Sequence, residues 1–196
     1  MKLTYVIAKI FRVITVPPVL ALALLLYLYF GATGFFSDIY QLAVVCLCIV
    51  VVPLLAYPVC YAVPKLRALG RDAERKMAFV TTATGYLLLV IPAVLGGFSR
   101  DLKIVSFTYV LSVIMLILFN HILKIKASGH ACGVFGPMLM FVYAGGLVMV
   151  LPCALLLLAM SWSSLKLRRH TPRELVLGAL CSTVSLAIVL ALFNLV

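Results

Sequence analysis

Carboxylates are scarce in this chain. Asp38, Asp72, Glu74, Asp101 and Glu174 stand against 16 lysines and arginines in 196 residues. They are scattered, with no carboxylate pair or His/Cys cluster able to hold magnesium or zinc, so no metal and no cofactor are expected. His121, His130 and His170 also lack metal-ligand spacing. Charge of either sign is sparse: 11% of residues carry it, where a soluble domain has roughly a quarter. Strand-type alternation is absent, which argues against a transmembrane barrel. No repeat or low-complexity linker divides residues 1–196, which read as one domain. No two cysteines flank a polar loop. Cys46, Cys48, Cys60, Cys153 and Cys181 lie inside apolar runs and Cys132 beside His130, so they read as small core residues rather than a disulfide framework.

Apolar residues dominate, at 66% of the chain. Continuous runs long enough to cross roughly 30 Å of hydrocarbon make this an all-α polytopic membrane protein, a helical bundle of six to seven transmembrane helices. Spans are expected near 13–30, 39–63, 77–97, 104–123 and 174–195, with an apolar block over 131–160. As one helix that block would extend about 45 Å, too long unless strongly tilted. Split at Gly145-Gly146 it makes two thin passes of roughly 22 Å each. The split is favoured because it returns His130 and His170 to one membrane face. The N-terminus carries Lys2, Lys9 and Arg12 ahead of a run that continues to about Phe30 without a cleavage region, and reads as an uncleaved first span.

The net charge of +11 suggests nucleic acid at first sight. The cations cluster at the ends of apolar runs, however, where they fix topology or meet headgroups, so no nucleic-acid partner is expected. Segments 1–12, 64–76, 124–130 and 161–173 hold 14 of the 16, leaving Arg100 and Lys103 opposite. The positive-inside rule then makes the charged face cytoplasmic, in a plasma (inner) membrane protein.

Two polar segments at the ends of apolar runs combine cations, a histidine and a helix start. In Ser128-Gly129-His130 the serine reads either as a plain N-cap or as part of a helix end whose free N–H groups hold phosphate beside His130. In Thr171-Pro172-Arg173-Glu174 the threonine, proline and glutamate form a capping box with proline at the first helical position. Glu174 equally suits orienting His170, as a carboxylate orients a catalytic imidazole, and the two roles are compatible. Arg71 and Arg75, in the charged loop after the second span, read either as topological cations or as phosphate clamps. His121 has no legible partner and reads as an interfacial residue.

Taken in order, these segments resemble the type 2 phosphatidic acid phosphatase superfamily, the lipid phosphate phosphatases. Its pattern has a Lys-x6-Arg-Pro motif, then Pro-Ser-Gly-His, then Ser-Arg-x5-His-x3-Asp. Ala127-Ser128-Gly129-His130 looks like the second motif with alanine for proline. His170-x3-Glu174 looks like the end of the third with glutamate for aspartate, and Gly178 falls where that helix often carries glycine. The third motif's arginine falls at Ser164, and the first motif has no strict counterpart among Lys65, Arg67, Arg71, Arg75 and Lys76. Lys126, Arg168 and Arg169 are the candidates to supply the missing charge. The resemblance covers roughly 64–185.

The resemblance implies metal-independent hydrolysis of a phosphorylated lipid through a phosphohistidine. His170 would be the nucleophile oriented by Glu174, and His130 the general acid. Ser128, the Gly129 N–H and the arginines would hold the phosphoryl oxygens. Prenyl pyrophosphates, phosphatidic acid, phosphatidylglycerol phosphate and phosphorylated glycolipids are the implied substrates. The alternatives are a lipid phosphotransferase using the same site and a lipid-binding membrane protein with impaired catalysis.

Overall fold

Every described element is helical. The computed structural model describes residues 2–195, Lys2 for its backbone only. Eight helices follow one another: α1 Lys2–Ile14, α2 Pro17–Phe30, α3 Ile39–Ala62, α4 Arg71–Leu95, α5 Arg100–Ile122, α6 Gly129–Gly145, α7 Val150–Lys166 and α8 Pro172–Leu195. A single turn over Pro64–Ala68 links α3 to α4. By length and composition five stretches can cross a membrane, or six if the bent pair α1–α2 makes one crossing. The protein is therefore a polytopic helical membrane protein.

The positions of the expected spans are met with local differences, and the candidate crossings among the described residues number five or six where six to seven were expected. Within the segment 1–12, read as a charged lead-in, the described residues from Lys2 onward are helical. Leu3, Val6, Ile7, Ile10, Val13 and Ile14 recur at helical spacing and form one exposed apolar stripe, while Ala8 is buried on the opposite side. Pro17 forces Val16 into extended geometry (φ −63°, ψ 130°), so α1 and α2 meet at 52°. Helix α4 begins at Arg71 rather than near 77, because Asp72 and Glu74 in its first turn favour a helix N-terminus. Helix α5 begins at Arg100, where the Ser99 hydroxyl accepts the Leu102 N–H at 3.1 Å.

The stretch Gly129–Lys166, 38 residues long, would reach about 57 Å if straight. It folds back instead. Gly146 sits at φ 67°, ψ −158°, a conformation open to glycine and strained for other residues. Ala131 near one end and Met160 near the other share a buried cluster with Leu20 and Leu175. Each arm, α6 and α7, has 17 residues.

The largest core cluster joins α2 to α6, with Leu24, Leu28, Ile49, Leu89, Val105 and Met140 fully buried. Three polar side chains inside the bundle satisfy themselves on their own helices: Ser106 on the Leu102 carbonyl at 2.8 Å, Thr108 on Ile104 at 2.7 Å and Ser185 on Cys181 at 2.6 Å. That is the economical solution where no water is at hand. The buried Tyr109 hydroxyl, by contrast, has no hydrogen-bond partner among the described residues. The six cysteines are free, five buried and Cys46 half-buried. His121 is exposed and tilts against Phe79.

The two ends of the bundle differ in chemistry. At one end Ser99 donates to the Phe35 carbonyl at 2.7 Å, Tyr143 to Asp101 at 2.6 Å and Arg100 to the Phe193 carbonyl at 2.9 Å. At the other end Arg12 meets Ser164, Ser128 meets Glu174, and Arg71 shares a cleft with Arg169.

This topology predicts a labelling pattern. In a background lacking native cysteines, Ser37→Cys and Leu147→Cys should react with an impermeant maleimide from one side of sealed vesicles. Leu69→Cys and Lys166→Cys should react from the other. A residue 147 shielded from both sides would mean that 129–166 runs straight.

Candidate functional site

The start of α8 is built by its own sequence. Thr171 accepts the Glu174 N–H at 3.3 Å, and Pro172 occupies the first helical position, where it has no N–H to lose. Glu174 thereby lies one turn along from His170, and its Oε2 is 3.0 Å from His170 Nδ1. With Nδ1–H donating to the carboxylate, Nε2 is left with its lone pair towards the cleft. Lys126 Nζ holds the second oxygen, Oε1, at 2.8 Å.

The start of α6 is joined to this unit through backbone. The Ser128 N–H donates to the Glu174 carbonyl at 2.9 Å, and the Ser128 hydroxyl caps α6 by accepting the Ala131 N–H at 3.1 Å. A Cβ at Gly178 would run into the Ser128 carbonyl oxygen, so the bare glycine lets the two helix starts touch. Asn120 pins the approach to α6, accepting the Ala127 N–H at 3.0 Å. His130 therefore comes within range of the charge of His170. Its Nε2 is fully buried and has no hydrogen-bond partner, an arrangement that costs roughly 1–3 kcal/mol unless a ligand supplies the partner.

Cations surround the two rings. Arg12 Nη1 lies 3.2 Å from Ser164 Oγ, and its charge acts on both His130 and His170. Arg71 and Arg75 act on Arg12, and Arg75 also on His170. Two open clefts of about 430 Å³ each adjoin the site and share Arg169: one is lined by Leu69, Arg71, Asp72 and Arg75, the other by Lys126, Arg168, His170 and Glu174. Burial lowers His170 below the ordinary imidazole value; Glu174 pulls it upward, while Arg12 and Arg75 push it further down.

The structure thus brings His130, His170, Glu174, Lys126, Ser128 and the exposed first turn at Gly129 together, with Arg71, Arg75, Arg168 and Arg169 around them. One residue is engaged differently from the sequence reading, and for Ser128 the N-cap alternative is the one observed. Lys126 is paired with Glu174, and the Ser128 hydroxyl is committed as an N-cap, so each supports the site through another group. Arg168 is exposed and held at φ 50° by the tight turn after α7. Arg12 was missed. Its signal was there, since it shares with Ala8 the side of α1 opposite the apolar stripe, but that signal exists only once residues 2–14 are read as a helix. Among the described residues no three His, Cys, Asp or Glu side chains cluster as metal ligands.

No protein-family model matches the sequence, and comparison with curated proteins and with solved structures finds no similar chain.

The contact between the two helix starts makes a test of its own. Gly178→Ala should destabilise the detergent-solubilised protein by about 1–3 kcal/mol, as overpacking does, read by thermal unfolding. Gly136→Ala, whose added Cβ would meet Ser182 Cβ at 3.9 Å, should leave the melting temperature unchanged. Equal melting of the two variants would contradict the tight approach.

Proposed function

We propose that this protein is a divergent lipid phosphate phosphatase, of the type 2 phosphatidic acid phosphatase kind, that removes a phosphate or pyrophosphate group from a lipid through a phosphohistidine. One observation carries the reading: the buried, partnerless Nε2 of His130 beside a His170 oriented by Glu174, in a nest of arginines. An imidazole and several guanidinium groups on the two open clefts, with the buried His130 ring behind them, suit a tetrahedral anion better than a neutral or cationic ligand.

In this mechanism His170 Nε2 attacks phosphorus and the bond to the leaving oxygen breaks. The bound phosphate's negative charge favours protonated His130, which gives its proton to that oxygen. His130, now neutral, takes a proton from water. The hydroxide oxygen attacks the phosphohistidine, the P–N bond breaks, and orthophosphate leaves with His170 neutral again. The N–H groups at the start of α6 and the arginines stabilise the equatorial oxygens. The acyl or prenyl tail stays in the bilayer while the headgroup enters at the cationic end. Prenyl pyrophosphates, phosphatidic acid, phosphatidylglycerol phosphate and phosphorylated glycolipids all fit this chemistry. The density of lysine and arginine at that end supports a cytoplasmic site in the plasma (inner) membrane.

A panel of these lipids in detergent, with released phosphate as the readout, tests the proposal. His170→Ala should abolish release. His130→Ala should cost roughly 10²- to 10⁴-fold on monoesters and less on diphosphates, whose leaving group needs less protonation. Release should continue in EDTA; an absolute requirement for Mg²⁺, or full activity in His170→Ala, would overturn the mechanism. Added alcohols that capture the phosphate in place of water would mark the protein as a phosphotransferase with the same site.

The pH profile is a separate check. His170 attacks only when neutral, so kcat/KM rises with pH through its pKa. That pKa lies below the ordinary 6.5, so the acid limb should fall below pH 6.5. Glu174→Gln removes the carboxylate's upward pull and should move the limb lower still while slowing the reaction. A limb that moves upward would contradict the pairing.

A further inference from the structure

We propose that Arg12, carried on the amphipathic helix α1, is a catalytic residue that binds the transferring phosphoryl group; the proposal rests on the phosphohistidine reading above. Arg12 is half-buried, and among the described residues both ion pairs use Glu174, with Lys126 and His170. Among the described residues no carboxylate pairs with the Arg12 guanidinium. Its neighbours Arg71 and Arg75 add like charge, with the Tyr57 hydroxyl acting the other way. A partly desolvated cation flanked by two others is unfavourable by itself and becomes favourable when an anion arrives.

The position of Arg12 identifies the anion. Its charge acts on His130 and on His170, the two groups on either side of phosphorus in the proposed reaction. A guanidinium there can span two non-bridging oxygens with its planar fork. Its bond to the Ser164 hydroxyl uses one of five N–H donors, leaving the rest available.

Helix α1 holds this side chain in place through protein contacts. The Ser163 hydroxyl donates to the Ala8 carbonyl at 2.6 Å, and Phe11 meets Trp162 edge-on at 6.5 Å. Arg12 thus reaches the site from outside the α6 and α8 starts that hold the histidines.

The experiment uses the full chain in detergent with two readouts, phosphate release from a lipid phosphomonoester and inhibition by orthovanadate, with melting temperature as a control. Arg12→Ala should lower kcat/KM by about 10²- to 10³-fold, as loss of one oxyanion donor does, and weaken vanadate inhibition at least about tenfold. Arg12→Lys should recover part of the vanadate affinity and less of kcat, because it restores charge without the fork. Since Ser164 Oγ touches the guanidinium, an arginine placed there can enter the vacated space, and Arg12→Ala/Ser164→Arg should regain activity over Arg12→Ala. Lys9→Ala, on the same helix, should match the wild type. The inference fails if Arg12→Ala keeps both readouts within about threefold of wild type while His170→Ala is inactive, which leaves the phosphohistidine reading standing. It also fails if activity falls only in step with melting temperature and Ser164→Arg rescues nothing. Full activity in His170→Ala would remove the underlying reading and the inference together.

Discussion

Glu174 binds the cationic end together through both of its functional ends. Its carboxylate divides between Lys126 and His170, one oxygen each, and its carbonyl accepts the Ser128 N–H that brings in α6. A carboxylate buried beside a helix start needs such partners, because an unpaired charge there would be strongly destabilising. The requirement works in both directions. Glu174 orients the imidazole, and the imidazole and lysine are what allow Glu174 to be buried.

The scarcity of acid elsewhere then acquires a physical meaning. With Glu174 committed, none of Arg12, Arg71 and Arg75 forms an ion pair among the described residues, although Asp72 lines the cleft of Arg71 and Arg75, and the Nε2 of His130 stays unpartnered. A surface of topological cations would relax outward into water or headgroups. Here Arg12 is held inward by its bond to Ser164 and by the packing of α1 on α7. The electrostatic strain is local to one end of the bundle, while the opposite end closes with neutral bonds and the Tyr143–Asp101 and Arg100–Asn194 pairs.

The hairpin of α6 and α7 sets this geometry. It carries the chain away from His130 and back to Ser164, so that a short turn delivers His170 to the same face. Gly146 allows the reversal, and Gly178 allows the final approach. Neither glycine has a side chain to contribute, and each acts by where it lets backbone go.

Membrane class, helical content and span positions were legible in the sequence because burial in lipid demands long apolar runs, a signal that needs no partner to be read. The cap at Thr171 and the His170–Glu174 pair were equally legible, being contacts within one helical turn. The commitment of Lys126 to Glu174, the bond from the Ser128 N–H to the Glu174 carbonyl, and the arrival of Arg12 from a helix 152 residues away from Ser164 belong to the tertiary structure alone. Local periodicity reports which face of a helix is apolar. Which charges meet at the end of a bundle depends on how the helices cross and bend, and no stretch of sequence carries that information by itself.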